Sequence, residues 1–114
     1  MSQPVAILIA CPQGEPAAAL ARGLVKAGLA ACVNHLPGMR STYRWKGEVV
    51  TDGEDLLIVK TVREAFAEVE AFVLANHPYE VPEVVALPLV EGHAPYLAWL
   101  EAETRASQSG IARS

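Results

Sequence analysis

The chain has 114 residues, of which 52% are hydrophobic, and its formal net charge at pH 7 is −4. Its nine basic residues are spread along the sequence, which excludes a dense positive surface for nucleic acid or an anionic membrane. This length predicts a single domain, which we place at residues 1–104, followed by a polar tail at residues 105–114. One small domain has little interior for so many apolar side chains, so the composition predicts association with further copies of the chain.

The first apolar run, VAILIAC, covers residues 5–11. It is too short to cross a bilayer, and no lysine or arginine precedes it as in a signal peptide. We therefore expect a cytoplasmic protein that does not enter a membrane. In such a reducing compartment, Cys11 and Cys32 are expected to be free thiols and not a disulfide.

The first part of the chain predicts a strand, a helix and a second strand. Val and Ile predominate at residues 4–11, and a Pro-Gln-Gly turn follows, which is typical of a buried strand. Helix-forming residues with apolar side chains at helical spacing predict a helix over residues 15–28, which ends in glycine. Residues 29–36 predict the second strand, and we expect Pro37 and Gly38 to end it.

A hairpin is predicted in the middle of the chain. Aromatic and polar residues alternate in the stretch RSTYRWKG, where Gly47 is the expected turn or bulge. The apolar run at residues 55–62 is the clearest strand of the sequence. The Asp52-Gly53 pair in front of that run is a common hairpin turn, so we expect the chain to reverse there.

The second half predicts a helix, a strand and a C-terminal helix. Residues 63–77 have helical periodicity, and residues 95–104 predict the last helix. Residues 84–92 predict a strand, in which Pro88 indicates an edge position or a strand end. The complete order is that of an α+β, ferredoxin-like split β-α-β sandwich with an extended hairpin. Both main helices are expected on one face of an antiparallel sheet, which leaves the other face largely bare.

The segment ANHPYEVPEV, residues 75–84, concentrates metal-binding and acid–base side chains between two apolar stretches. Three interpretations are open: a metal site, a catalytic pocket, or a rigid connection between helix and strand. Imidazole and carboxylate groups such as those of this segment are metal ligands in proteins, and a thiolate together with an imidazole favours copper or zinc. Alternatively, Cys11 is a small buried side chain and His77 caps a helix. The sequence lacks the common enzyme motifs, which favours a protein without catalytic activity.

Four aromatic side chains are further candidates for an interface or a pocket: Tyr43, Trp45, Tyr79 and Trp99. Tyr43 and Trp45 alternate with polar and basic residues, so one face of their strand is aromatic. Their spacing favours packing in the core or between subunits, and a pocket lining is the alternative.

Four stretches, in order and spacing, closely resemble the CutA family, the divalent-cation tolerance proteins: LAACVNHLPGMRSTYRWKGEV, DLLIVKT, HPYEVPEVVALPL and YLAWLEAET. The resemblance covers residues 7–104. It implies a ferredoxin-like subunit in a tight homotrimer whose sheet edges pair between subunits. The hairpin from Tyr43 to Asp55 would be the arm that pairs with a neighbouring subunit, and no catalytic activity is implied.

The resemblance also implies a role in tolerance or homeostasis of copper and other divalent metal ions, without an organic cofactor. It assigns Cys11, His77 and Glu83 as the metal ligands, and Asn76 stands where some members carry a second histidine. Two functions follow from the family. Either the protein binds copper or another divalent ion directly, or it is a trimeric signalling or scaffold module, similar to nitrogen-regulatory signal proteins. Such a module would bind a small molecule or a protein in the clefts between subunits.

Overall fold

The computed structural model describes residues 2–104. These residues form four strands, a short 3-10 helix (Arg63–Ala65) and three α-helices, with the order β1 Pro4–Cys11, α1 Glu15–Lys26, β2 Cys32–Trp45, β3 Glu48–Val62, α2 Phe66–Asn76, β4 Val84–Pro88 and α3 Ala94–Ala102. The predicted polar tail, residues 105–114, lies outside the described residues. Within the described part of the chain, every helix is too short or too polar to span a membrane.

The strands form one antiparallel sheet with the order β2-β3-β1-β4. The most apolar strands, β1 and β3, occupy its centre, where Ile7 lies opposite Val59 and Ile9 lies opposite Leu57. The edge position predicted for the Pro88 strand is confirmed, because β4 pairs with β1 alone in this sheet. This topology confirms the α+β, ferredoxin-like split β-α-β sandwich.

One face of the sheet is buried beneath the helices. Alternate side chains along a strand point to opposite faces, and the buried set on β1 and β3 includes Ile7, Ile9 and Leu57. Leu24 of α1 and Val69 of α2 are fully buried in the same core. Each such aliphatic side chain contributes about 1.5–3 kcal/mol relative to its exposed state, so this layer supplies much of the stability of the fold.

The opposite sheet face, here called the open face, carries apolar side chains that remain accessible. Leu36, Val85 and Leu87 are 43%, 47% and 50% exposed. Their partners in the strand ladders place them on the same face as half-buried Leu8.

Helix α3 lies against the sheet. It contacts β1 and β3, and its Leu100 is fully buried. Because Tyr96 of α3 lies near Cys32, whose side chain is on the open face, α3 covers a part of that face.

The predicted end of the second strand at Pro37 is wrong. Strand β2 continues to Trp45, with a shift of register between Leu36 and Met39. The two residues of this bulge, Pro37 and Gly38, have no place in the ladder, which suits a proline without an N–H. Gly38 has φ of 81°, a conformation that glycine adopts without steric cost.

The predicted turn at Asp52-Gly53 is also wrong, because the chain reverses at Lys46-Gly47. Both turn residues have positive φ, 51° and 83°, as a two-residue type I′ turn requires. Asp52 and Gly53 remain within β3, where the side chain of Gln13 lies close enough to Gly53 to crowd any added Cβ. The hairpin from residue 39 to residue 54, here called the hairpin arm, is therefore longer than predicted.

Candidate functional site

His77 lies where the chain leaves α2 and passes the C-terminal end of β1. Pro78 disfavours helical dihedral angles at the preceding residue, and His77 is extended, with φ of −105° and ψ of 135°. The imidazole Nε2 lies 2.8 Å from the carbonyl oxygen of Ala10, and Nδ1 accepts the backbone N–H of Tyr79 at 3.2 Å. Since Nδ1 is an acceptor, Nε2 must carry the proton and donate to Ala10. Both ring nitrogens are thus engaged within the chain.

His77 occupies the C-cap position of α2, as one interpretation of the sequence proposed, but its ring binds Ala10 and Tyr79 and not the end of the helix. The neighbouring Asn76 side chain binds the last turn instead, by donating to the carbonyl of Phe72 at 2.8 Å. The His77 ring packs edge-on against Tyr79, with centroids 4.6 Å apart. The segment after α2 is consequently a connection between helix and strand whose first residues bond to β1 and to each other.

Cys11 ends β1 and is buried under the helices, with 1% of its surface exposed. Burial, together with the nearby carboxylates of Asp55 and Glu54, raises the pKa of the thiol to about 12. A metal ligand must be the thiolate, so this environment disfavours coordination. In the isolated subunit, Cys11 is therefore a small buried side chain.

The third predicted ligand, Glu83, is exposed just before β4. Among residues 2–104, no group of three or more histidine, cysteine, aspartate or glutamate side chains is arranged to hold a metal ion. The fold thus brings His77 to the backbone of Ala10 near the end of β1, but among residues 2–104 the three predicted ligands do not form a metal-binding group.

Asp55 forms a cluster at the same end of the sheet that sequence reasoning missed. The carboxylate is 2% exposed and accepts hydrogen bonds from the backbone N–H of Gly14 at 2.9 Å and of Gly38 at 3.2 Å. His35 Nε2 lies 2.7 Å from the same carboxylate. These contacts, with the Gly14 N–H first and His35 second, lower the pKa of Asp55 below 3.8. We call these four residues the Asp55 cluster.

A signal for this cluster was present in the sequence. Asp55 is two residues before Leu57 and therefore in phase with the inward-facing side chains of β3. A carboxylate at an inward position requires hydrogen-bond donors, but the sequence does not reveal which segments provide them.

Two of the four predicted aromatic residues, Tyr43 and Tyr79, interact with carboxylates of β3. Burial and a hydrogen bond to Glu54 raise the pKa of Tyr79 to about 12, and the charge of Tyr43 adds to the same effect. The hydroxyl of Tyr43 donates to Asp52. Both phenols thus serve as partners for carboxylates at the base of the hairpin arm.

The other two aromatics lie elsewhere. Trp45 is at the tip of the hairpin arm, where the Lys46 ammonium lies 5.8 Å from its ring centroid. Trp99 packs against Tyr96 on α3, with centroids 5.6 Å apart. All four predicted aromatics are partly exposed, so none is a core residue of the isolated subunit.

The surface also contains two shallow grooves away from this end of the sheet. One is lined by residues of β1, β4 and the start of α2, and the other by residues of α1 and β2. Neither groove includes Cys11, His77 or Asp55.

The fold and this end of the sheet together define a class of protein: a small ferredoxin-like subunit with a partly covered apolar sheet face and a projecting hairpin arm. A comparison with family models gives the particular family. The model of the CutA1 divalent ion tolerance protein matches residues 5–103. The chain belongs to this family, which is not a known enzyme family.

The similarity extends over most of the chain in bacterial and plant relatives. The divalent-cation tolerance protein CutA of Thermus thermophilus is 53% identical over 98 residues, which cover 86% of this chain and 95% of the relative. The chloroplastic protein CutA of Arabidopsis thaliana is 44% identical over 101 residues, 89% of this chain. The match spans only 56% of the Arabidopsis protein, so the relative contains a further segment.

Solved structures have the same fold. The Thermus thermophilus protein superimposes with a TM-score of 0.87 at 51% identity, covering 89% of this chain and 98% of the relative. A CutA from Oryza sativa gives a TM-score of 0.89 at 42% identity, over 91% and 95% of the two chains. A Nostoc protein described as a PII-like CutA gives 0.83 at 31% identity, over 90% and 98%. The ferredoxin-like, PII-like subunit is thus shared across these relatives.

Proposed function

We propose that the chain is a cytoplasmic, non-catalytic homotrimer that acts in tolerance of divalent metal ions. The open face is the observation that supports this proposal most strongly, because Leu36, Val85 and Leu87 on its two edge strands are each close to half exposed. Monomeric proteins rarely leave such a surface uncovered, so burial against another subunit is expected. The role in metal tolerance follows from the family and from the name of the Thermus relative.

Further copies of the chain fit this surface better than an unrelated partner. The sheet ends in two edge strands, β2 and β4, whose outer backbone groups can pair with another chain. The hairpin arm adds exposed Tyr43, Trp45 and Val49. A closed ring of three subunits would cover the two sheet edges, the hairpin arm and the open face together, because a symmetric assembly buries the same surfaces on every subunit.

Light scattering at micromolar concentration tests the assembly. One chain has a mass of 12.2 kDa, so the trimer should have three times this mass. Leu87→Lys places a charge on the open face and should give the monomer mass with an unchanged circular dichroism spectrum. Leu74→Lys is the matched control, because Leu74 is exposed on α2 beneath the other sheet face, and it should remain trimeric. A monomer mass for the wild type would overturn the proposal.

Direct binding of a copper ion, or of another divalent metal ion, is a second proposal. Its supporting observation is the hydrogen bond from the His77 imidazole to the carbonyl of Ala10, the residue that precedes Cys11. For binding, His77 would have to exchange a present hydrogen bond for the metal, and the Cys11 thiol would have to lose its proton. Glu83 would complete the shell from the same subunit or from a neighbour. Copper and zinc favour such sulfur and nitrogen ligands.

Isothermal titration of copper and of zinc separates direct from indirect action. Direct binding predicts one site per chain in the wild type and at least tenfold weaker binding in Cys11→Ser and in His77→Ala. His93→Ala is the control, since His93 is exposed before α3 and should bind as the wild type does. Equal binding by all four proteins would exclude these ligands. The protein would then be better described as a signalling or scaffold module that binds a small molecule or a protein between subunits.

A further inference from the structure

We infer that the Asp55 cluster fixes the direction of the hairpin arm relative to the sheet and thereby positions the arm for contact with another subunit. The first part concerns the single chain, and the second part rests on the proposed trimer. Asp55, Gly14, His35 and Gly38 would then be positioning residues for assembly.

The cluster joins two segments of the chain, the start of α1 and the bulged part of β2, to one carboxylate on β3. Gly14 is the N-cap residue of α1, His35 is the last inward residue of β2 before the bulge, and Gly38 lies within the bulge. The donors are 41, 20 and 17 residues from Asp55 in sequence. The base of the hairpin arm is therefore held to the centre of the sheet and to the start of a helix at a single point.

The bulge is the place where the arm can change direction. A bulge bends its strand and interrupts the ladder, and here the register shifts between Leu36 and Met39. Beyond it, the arm has little core packing to fix its orientation, because Tyr43, Trp45 and Val49 are 41%, 41% and 67% exposed. Hydrogen bonds at the bulge are therefore well placed to determine the angle of the arm.

A buried carboxylate adds little to the free energy of unfolding, so stability by itself does not account for Asp55. Removing its charge from water is costly, and apolar side chains of similar size often serve stability equally well. Three directed hydrogen bonds provide orientation instead, since each donor must lie along a defined direction from the carboxylate. This difference explains why a charged group occupies an inward position of β3 beside Cys11 and close to Glu54.

Hydrogen exchange of backbone amides tests the role in the single chain. In Asp55→Asn, the side chain keeps its size but loses acceptor capacity, so amides of residues 40–44 and 49–53 should exchange at least tenfold faster. Amides in the centre of β1 and β3 should change less than threefold. Glu15→Gln is the control. It also replaces a carboxylate by an amide, but at an exposed ion pair with Arg22, so amide exchange in the hairpin arm should not change.

His35→Ala provides a second variant if Asp55→Asn folds poorly. This substitution removes one hydrogen-bond donor to Asp55 and leaves the two backbone donors. The backbone amides of the hairpin arm should therefore exchange about threefold faster than in the wild type. If amide exchange accelerates equally in the hairpin arm and in the central strands, the inference is overturned, since the cluster would then support the whole fold. Unchanged arm exchange in both variants would overturn it as well.

Analytical ultracentrifugation of the same variants tests the link to assembly. The concentration at which half of the trimers dissociate should rise at least tenfold in Asp55→Asn and remain within twofold of wild type in Glu15→Gln. A mobile arm with unchanged dissociation would overturn the assembly part. If the wild type proves monomeric, the proposed trimer fails, while the exchange experiment still decides whether the cluster fixes the arm.

Discussion

The phenyl ring of Phe72 on α2 occupies the space directly above Gly23 on α1. A Cβ atom added to Gly23 would lie 2.7 Å from Cζ of Phe72, a distance that real Cβ contacts do not reach. The two helices approach each other through this pair, and both pack on the same sheet face. Gly23 is therefore retained within a helix, where glycine is otherwise unfavourable, because a larger residue would displace the ring.

Gly23→Ala should destabilise the protein although alanine is the better helix former. The gain in helix propensity is about 1 kcal/mol, and overpacking typically costs roughly 1–3 kcal/mol, so a net loss of about 1 kcal/mol is expected. Urea unfolding measures the difference. In the Phe72→Leu background the same change should be neutral or stabilising, and a loss of equal size in both backgrounds would contradict the proposed contact.

Gly47→Ala should weaken the hairpin arm. The residue has φ of 83° in the two-residue turn, where an added Cβ has space but the backbone conformation is strained, at a cost of about 1–2 kcal/mol. Exchange of the amides of residues 43–45 should accelerate, because the turn closes this end of the arm. Lys46→Asn serves as the comparison, since asparagine tolerates the φ of 51° at the first turn position, and it should leave exchange unchanged or slower.

The Cys11 thiol should be unreactive in the folded protein. With its pKa raised from 9.0 to about 12, the thiolate population at pH 7 is about a thousandfold smaller than for an ordinary thiol, and the side chain is buried. In a Cys32→Ser variant, alkylation by iodoacetamide followed by mass spectrometry should show negligible modification until urea unfolds the chain. Rapid modification of the native variant would show that the thiol is accessible and ionised.

Acid should remove the contribution of Asp55 to stability. Its pKa is lowered in the folded state, chiefly by the Gly14 N–H and next by His35. The folded state therefore binds the proton more weakly than the unfolded chain. The stabilisation is complete above the unfolded pKa near 3.8 and is lost as pH falls through the lower folded value.

Urea midpoints measured from pH 5 to pH 2 test this linkage. The midpoint of the wild type should fall more steeply below pH 4 than that of Asp55→Asn, in which the group no longer titrates. Glu15→Gln should retain the wild-type slope, because Glu15 is exposed. Parallel curves for the wild type and Asp55→Asn would show that Asp55 does not contribute to acid sensitivity.

Local sequence patterns were sufficient for most of the fold. The Val- and Ile-rich run of β1, the helical spacing of α1 and α2, and the edge strand indicated by Pro88 all correspond to observed elements. These patterns report which side chains must be buried, and burial is the dominant contribution to folding. The hairpin was placed incorrectly, because Asp52-Gly53 and Lys46-Gly47 are both acceptable turns and only the register of the long ladder between β2 and β3 selects the second.

The candidate site depended more strongly on tertiary structure. The sequence identified Cys11 and His77 as side chains of interest, and it indicated correctly that the segment after α2 connects a helix to a strand. It did not reveal that both ring nitrogens of His77 are engaged, that the Cys11 thiol resists ionisation, or that Asp55 gathers donors from distant segments. Hydrogen bonds and pKa shifts depend on groups that are far apart in the chain and meet only when the sheet forms, whereas strands and helices are encoded by the spacing of neighbouring residues.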